Sequence, residues 1–176
     1  MDPISQLIEV LEYTPKSNKV EELIKLVESS STVDIVNKTD LLTGVWELKW
    51  STSKSPFLNY SPLLENLQIL DPKRSRGLNI LRPVGIAGKF ISTEILARIE
   101  IIDQVRTDVS FVKAGIIGPN VLGKKISFLS QIIKSQNGWL DTTVLSPYLR
   151  VCKGYKGTTF ALLKRNDLSL TEFFNP

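Results

Sequence analysis

The spacing of apolar residues changes near residue 43, and that change divides the chain in two. Before it, the period is helical. Ile4, Leu7, Ile8 and Leu11 recur at i, i+3, i+4 and i+7, which is one face of a helix. Asp2 is placed to cap this helix, Pro3 suits its first turn and Pro15 ends it. Val20, Leu23, Ile24 and Val27 repeat the stripe, with Asn18 and Glu21 at capping-box spacing. Ser29, Ser30, Ser31 and Thr32 break the pattern. Two amphipathic helices need a surface to cover, so they are expected on one end or one side of a sheet.

After Thr43 the period is two. Trp46, Leu48 and Trp50 alternate with Glu47 and Lys49, the mark of a half-buried antiparallel strand. Short strands are expected at 67–69 and 78–80, the second stopped by Pro83. Ile91, Thr93, Ile95, Ala97, Ile99 and Ile101 share one parity, enough for one bent strand or two. A turn at Asp103-Gln104 leads to Val105, Thr107, Val109 and Phe111. Segments 124–134, 139–144, 148–153 and 158–164 complete the set. Asn137-Gly138 carries a tight-hairpin signal, and Gly154-Tyr155-Lys156-Gly157 links the last two strands.

Eight or nine consecutive antiparallel strands tend to close into an up-and-down barrel, because closure removes exposed edges. A barrel of about eight strands has room for one small ligand. The expectation is a mainly β chain forming a single domain over 1–176. A helical segment, 1–31, packs on a barrel, 43–165, followed by a C-terminal tail, 166–176.

Composition then narrows the chemistry. The 176 residues include no histidine and one cysteine. Histidine triads, histidine-ligated metals and histidine pH switches are excluded, as are intrachain disulfides and multi-cysteine metal sites. Cys152, between Val151 and Lys153, reads as a small hydrophobe. Gly85-Ile86-Ala87-Gly88 lacks the ending and context of a phosphate loop, and no Gly-x-Ser-x-Gly elbow exists. No catalytic residue, metal or cofactor is assigned, and the chain is expected not to be an enzyme.

Lys and Arg total 22 against 18 Asp and Glu, a net charge of +4. The basic residues are dispersed, so no nucleic-acid partner is expected. The densest cluster, Lys73-Arg74-Ser75-Arg76, reads as a solvated turn, with anionic lipid headgroups as the alternative contact. The first residues resemble neither a signal nor a transit peptide. With no apolar run of about 20 residues, any membrane contact is expected to be peripheral.

Three sets of residues are candidates for binding. Segments 55–64, with Phe57 and Tyr60, and 114–123 are charge-free and read as apolar loops. At one rim they form an entrance; at opposite rims they are caps. The aromatics Trp46, Trp50, Phe90, Phe111, Phe128, Trp139 and Phe160 are core or cavity lining. Asp141, Thr142, Thr143 and Arg150 form a polar cluster, with an Asp141–Arg150 ion pair expected across the hairpin, at the rim.

The block Gly138-Trp139-Leu140-Asp141-Thr142-Thr143, with Leu149-Arg150-Val151, Lys153-Gly154, Lys156-Gly157 and Phe160-Ala161-Leu162-Leu163, resembles the C-terminal signature of the plastid lipid-associated proteins, or fibrillins. The helix pair followed by Leu42-Thr43-Gly44-Val45-Trp46-Glu47-Leu48-Lys49-Trp50-Ser51-Thr52-Ser53 is similar to that family's opening motif. The family pattern of Tyr-Leu and paired acids after Thr143 is replaced by Val144-Leu145-Ser146-Pro147-Tyr148. The resemblance implies a lipocalin-like barrel that binds a lipid, quinone or carotenoid at thylakoids or lipid globules. Gly44-x-Trp46 also resembles the first-strand motif of lipocalins, where the Trp closes the base beneath a basic residue; Lys164 or Arg165 would take that part. Without a transit peptide the chain looks cyanobacterial, peripheral to the thylakoid on its cytoplasmic side, or plastidic if a presequence was removed.

The leading expectation is therefore a non-enzymatic binder of a hydrophobic small molecule at a membrane or lipid-globule surface. Trp46, Trp50 and Trp139 line or close the cavity, Phe57 and Tyr60 gate it, and Asp141 and Arg150 fix its rim. Two alternatives stand beside it. One is a bilin-binding lyase or chaperone using Arg150 or Arg82 at the rim. The other is a structural partner of a thylakoid complex with the helical face as interface.

Overall fold

The computed structural model describes residues 2–55, 58–121, 124–131 and 137–174. Helices α1 (Pro3–Tyr13) and α2 (Lys19–Ser30) lead to a one-turn helix α3 (Thr39–Leu42). Nine strands come next: β1 (Gly44–Ser51), β2 (Leu64–Asp71), β3 (Arg76–Pro83), β4 (Ser92–Ile101), β5 (Arg106–Val121), β6 (Lys124–Gln131), β7 (Asn137–Leu145), β8 (Leu149–Gly154) and β9 (Thr159–Lys164).

Every pairing is antiparallel, in the order β4-β3-β2-β1-β9-β8-β7-β5, and the additional β4–β5 pairing closes eight strands into a barrel. Strand β5 is long. Its first residues pair with β7, while its continuation from Lys113 pairs with β6, so the β5–β6 hairpin runs past the barrel wall. The predicted apolar loop at 114–123 is thus corrected: residues through Val121 are strand, and Leu122 and Gly123 lie outside the described residues. The apolar alternation of a strand simply continues beyond the last β7 partner.

The two opening helices cover a side of the barrel. Asp2 accepts the Ile4 amide at 2.9 Å and caps α1 as expected. Asn18 makes no cap bond; Ser17 accepts the Lys19 amide at 3.3 Å instead. Leu7, Leu11, Val20, Ile24 and Val27 pack on Val144, Leu149, Val151, Ala161 and Leu163 of the outer face of β7–β9. Each such burial contributes about 1.5–3 kcal/mol. A second outer core forms where Phe174 and the tail residues Leu168, Leu170 and Phe173 cover Val45, Leu67, Ile69, Leu78 and Ile80.

Strand β1 carries an irregularity with a large consequence. Leu48 pairs with Leu162, yet Trp50 pairs with Ala161, so one residue is bulged. A bulge reverses which face later side chains occupy. Trp46 and Leu48 join the inner cluster with Cys152, Phe160 and Leu162. Trp50 instead packs outside against the helical core, correcting its expected place in the cavity.

Of the two turn expectations, one differs. Asn137 and Gly138 lie within β7, opposite Ser110 and Val109 of β5, because β7 turns to β5 rather than to β6. Gly154–Gly157 does form the β8–β9 turn, with Gly157 at φ +76 and its amide 2.8 Å from the Gly154 carbonyl. The residues of 132–134 lie outside the described chain.

Candidate functional site

The two ends of the barrel are built differently. At one end lie the starts of β1 and β3 and the β4–β5 and β7–β8 turns. There the Trp46 side chain is 0% exposed, and its Nε1 donates to the Leu42 carbonyl of α3 at 2.9 Å. The Lys164 ammonium stands 5.0 Å from the centre of the Trp46 ring and donates to the Leu41 carbonyl at 3.0 Å. Of the two basic residues expected to close the base over Trp46, Lys164 takes the position. Burial lowers the pKa of Lys164 below the ordinary lysine range. Gly44 is needed here: its φ is +138, and a Cβ would lie 2.7 Å from Lys164 Cε.

This closed end also holds the basic cluster, and its charges are paired within the chain. Asp71, nearly buried, accepts from Arg76 Nη2 at 2.8 Å, with Arg74 at 3.5 Å. Burial alone would raise the Asp71 pKa, but Arg76 and Arg74 outweigh it and hold the carboxyl below its ordinary value. Lys73 pairs with Asp40 of α3 at 2.7 Å. The cluster is a turn, as expected, with Ser75 at φ +53.

The other end gathers segment 58–63, the loop between β3 and β4, the β5–β6 hairpin and the β8–β9 turn. Its large apolar side chains point to solvent: Leu63 is 76% exposed, Ile86 75% and Phe128 74%, with Leu58, Val84, Phe90, Ile91, Ile116 and Ile126 also exposed. The two charge-free segments therefore share one rim, in their described parts.

The inner wall changes in the same direction. Near the base, Trp46, Leu48, Thr142, Arg150, Cys152 and Leu162 are buried. Farther up, the inward register positions Leu81, Thr93, Ile95, Phe111 and Ala114 are only half-buried. A Cβ on Gly77 would meet Ala97 and Ile99, and one on Gly154 would meet Phe160 and Leu140, which fixes the inward face of both walls. The inner wall thus forms a cup-shaped surface, fully buried at its base and half-buried toward the rim.

Of the predicted binding residues, Trp46, Phe111, Thr142 and Arg150 share this inner face, and Phe128 continues its parity beyond the rim. The others are elsewhere. Trp139 faces outward, under the Arg106 guanidinium at 4.2 Å. Asp141 is paired with that same Arg106 through two bonds of 2.8 Å, not with Arg150. The β7–β8 register puts Asp141 opposite Lys153 and Arg150 opposite Leu145, so the two expected partners lie on opposite faces. Tyr60 lies beside the α1–α2 turn, with Tyr13 and Pro15. Phe90 lines an outer groove, and Phe57 lies outside the described residues.

That outer groove, about 590 Å³, runs between the tail and the β3–β4 loop and is lined by Ile80, Arg82, Ile86, Phe90, Ile117 and Phe173 among others. One border is a charge network. Arg165 bridges Glu65 at 2.8 Å and Glu47 at 3.2 Å, and Arg82 reaches Glu65 at 2.7 Å. Burial opposes ionisation of Glu65, yet its bonds to Arg165 and Arg82 prevail and hold its pKa below the ordinary range. Sequence reasoning missed this groove and Gln68, an inward residue of β2 bound to Arg150. The Leu168, Leu170, Phe173 and Phe174 pattern was the available signal for a packed tail.

Among the described residues no group of metal-ligating side chains occurs, and no helix is long and apolar enough to cross a membrane. The rim cations of the bilin reading are placed otherwise: Arg150 is at the base and Arg82 is bound to Glu65. The helical stripes of the partner reading are covered by the barrel.

Comparison with known proteins gives one family. The PAP_fibrillin family model matches residues 10–163. The probable plastid-lipid-associated protein 12, chloroplastic, of Arabidopsis thaliana is 27% identical over 173 residues, covering 86% of this chain and 40% of the relative. The chain thus spans about two fifths of that relative's length. No solved structure matches.

Proposed function

The chain belongs to the PAP_fibrillin family, and we propose that it holds one hydrophobic molecule in its barrel and docks by the open end on a membrane or lipid-globule surface. The observation that carries this reading is the polarity of the barrel. The base is sealed by Trp46, Lys164 and α3, while the opposite rim exposes Leu63, Ile86, Phe90 and Phe128. Exposed apolar patches of this kind mark membrane or ligand contacts. A lipid, quinone or carotenoid lying against Leu81, Ile95 and Phe111 is retained by apolar burial, about 25 cal/mol per Å² before ordering costs. The role is binding rather than catalysis. Its setting is the periphery of a thylakoid or plastid lipid globule, in keeping with the relative's name.

Native mass spectrometry of the purified protein, with flotation on neutral phosphatidylcholine vesicles, tests the reading. Retained apolar ligand and co-flotation are expected. A protein that carries no apolar ligand, takes none up from a lipid extract and stays out of the vesicle fraction would overturn it.

A further inference from the structure

The innermost charged group of the cup is the Arg150 guanidinium, 1% exposed. It projects from β8 on the same face as Cys152 and Leu162. Its Nη2 donates to Gln68 Oε1 at 2.7 Å and lies 3.5 Å from Cys152 Sγ. Its Nε and Nη1 are buried with no hydrogen-bond partner. Among the described residues no carboxylate pairs with it. The acidic groups of the surrounding strands lie on the outer face, each bound to an outer cation: Glu47 to Lys49 and Arg165, Glu65 to Arg82 and Arg165, Asp141 to Arg106. The Trp46 ring centre lies 5.7 Å from the Arg150 guanidinium carbon and 5.0 Å from the Lys164 ammonium, which adds a second cation, bonded to a carbonyl.

Buried donors are almost always satisfied, and a buried cation held by neutral acceptors alone is costly. Arg150 carries unused N–H groups, and it stands at the floor of a cup whose upper wall is apolar and half-exposed. We propose that Arg150 and Gln68 receive the carboxylate head of a long-chain amphiphile, which enters head first and lays its tail along Leu81, Ile95 and Phe111 toward the open rim. A carboxylate fits the charge as well as the geometry. As a monoanion it neutralises one guanidinium, and it accepts several N–H bonds at once. This inference rests on the cup being a ligand site, as proposed above.

The test compares palmitate with hexadecanol, which has the same chain and an uncharged head, by calorimetry on the delipidated 176-residue chain. Charge-assisted hydrogen bonds predict palmitate tighter by about tenfold or more. Arg150→Met, which replaces the buried charge with apolar volume, is expected to bring the two affinities together by weakening palmitate far more than hexadecanol. Gln68→Leu is expected to reduce the preference in part. Should Arg150→Met not fold, the wild-type comparison decides alone. Equal wild-type affinities would overturn the carboxylate assignment and leave the binding function standing. Binding of neither probe would overturn both.

Discussion

The two ends of this barrel solve opposite problems with the same kinds of residue. At the base, a tryptophan is fully buried, its ring N–H is bonded to a carbonyl and the nearby charged turn is paired within the chain. At the rim, phenylalanine, leucine and isoleucine side chains of similar apolar area face water. Burial turns such area into stability, and exposure leaves it available for a partner. The base is therefore where the fold is held, and the rim is where the molecule has apolar surface to give.

Substitutions separate the two roles. The largest effect is expected from Trp46→Ala, which empties the base and removes the ring beside Arg150 and Lys164. A loss of about 3–5 kcal/mol, or roughly 10 °C in Tm, is expected by thermal and urea unfolding. A loss below about 1 kcal/mol would mean the base is not a packed floor.

Next is Asp71, the acidic anchor of the same end. Its carboxyl pKa is held below the unfolded value by Arg76 and Arg74. A depressed carboxylate binds fewer protons folded than unfolded, so its stabilisation is present above about pH 4 and fades as the pH falls further. Asp71→Asn is expected to cost about 1–3 kcal/mol at neutral pH and to flatten the acid limb of stability, read by urea unfolding at neutral pH and at steps down through the carboxylate range. An unchanged acid limb would assign that pH dependence to other carboxylates, Glu65 first.

The smallest effect on stability belongs to the rim. Ile86→Ser with Phe128→Ser is expected to shift unfolding by no more than about 0.5 kcal/mol, yet to reduce vesicle flotation several-fold. If flotation is unchanged, the exposed apolar end is not the docking surface and the contrast between the ends loses its functional meaning.

How much of this is legible in the sequence depends on the range of the interaction involved. Helical stripes are local, and Leu7, Leu11, Val20, Ile24 and Val27 announce which faces of α1 and α2 are buried. Strand alternation is local too, and it marks the barrel strands and the inward direction of Trp46. The resemblance of Gly44-x-Trp46 to the first-strand motif of lipocalins further implies a basic partner near the end of the last strand. Trp50 departs from its alternation because one bulged residue reverses a parity that looks continuous in the sequence. Asp141 and Arg150 part company because similar spacing along two strands says nothing of the register between them.

The sequence by itself therefore determined the class of fold, the helix faces, a strand count of eight or nine and the absence of histidine chemistry, since each follows from periodicity or composition within a few residues. Only the tertiary structure decided which charges are inside, that both apolar segments reach one rim and that Gln68 meets Arg150 across the cup. Those outcomes depend on register and closure. They are set by contacts between residues as far apart as Gln68 and Arg150, for which no local spacing carries a signal.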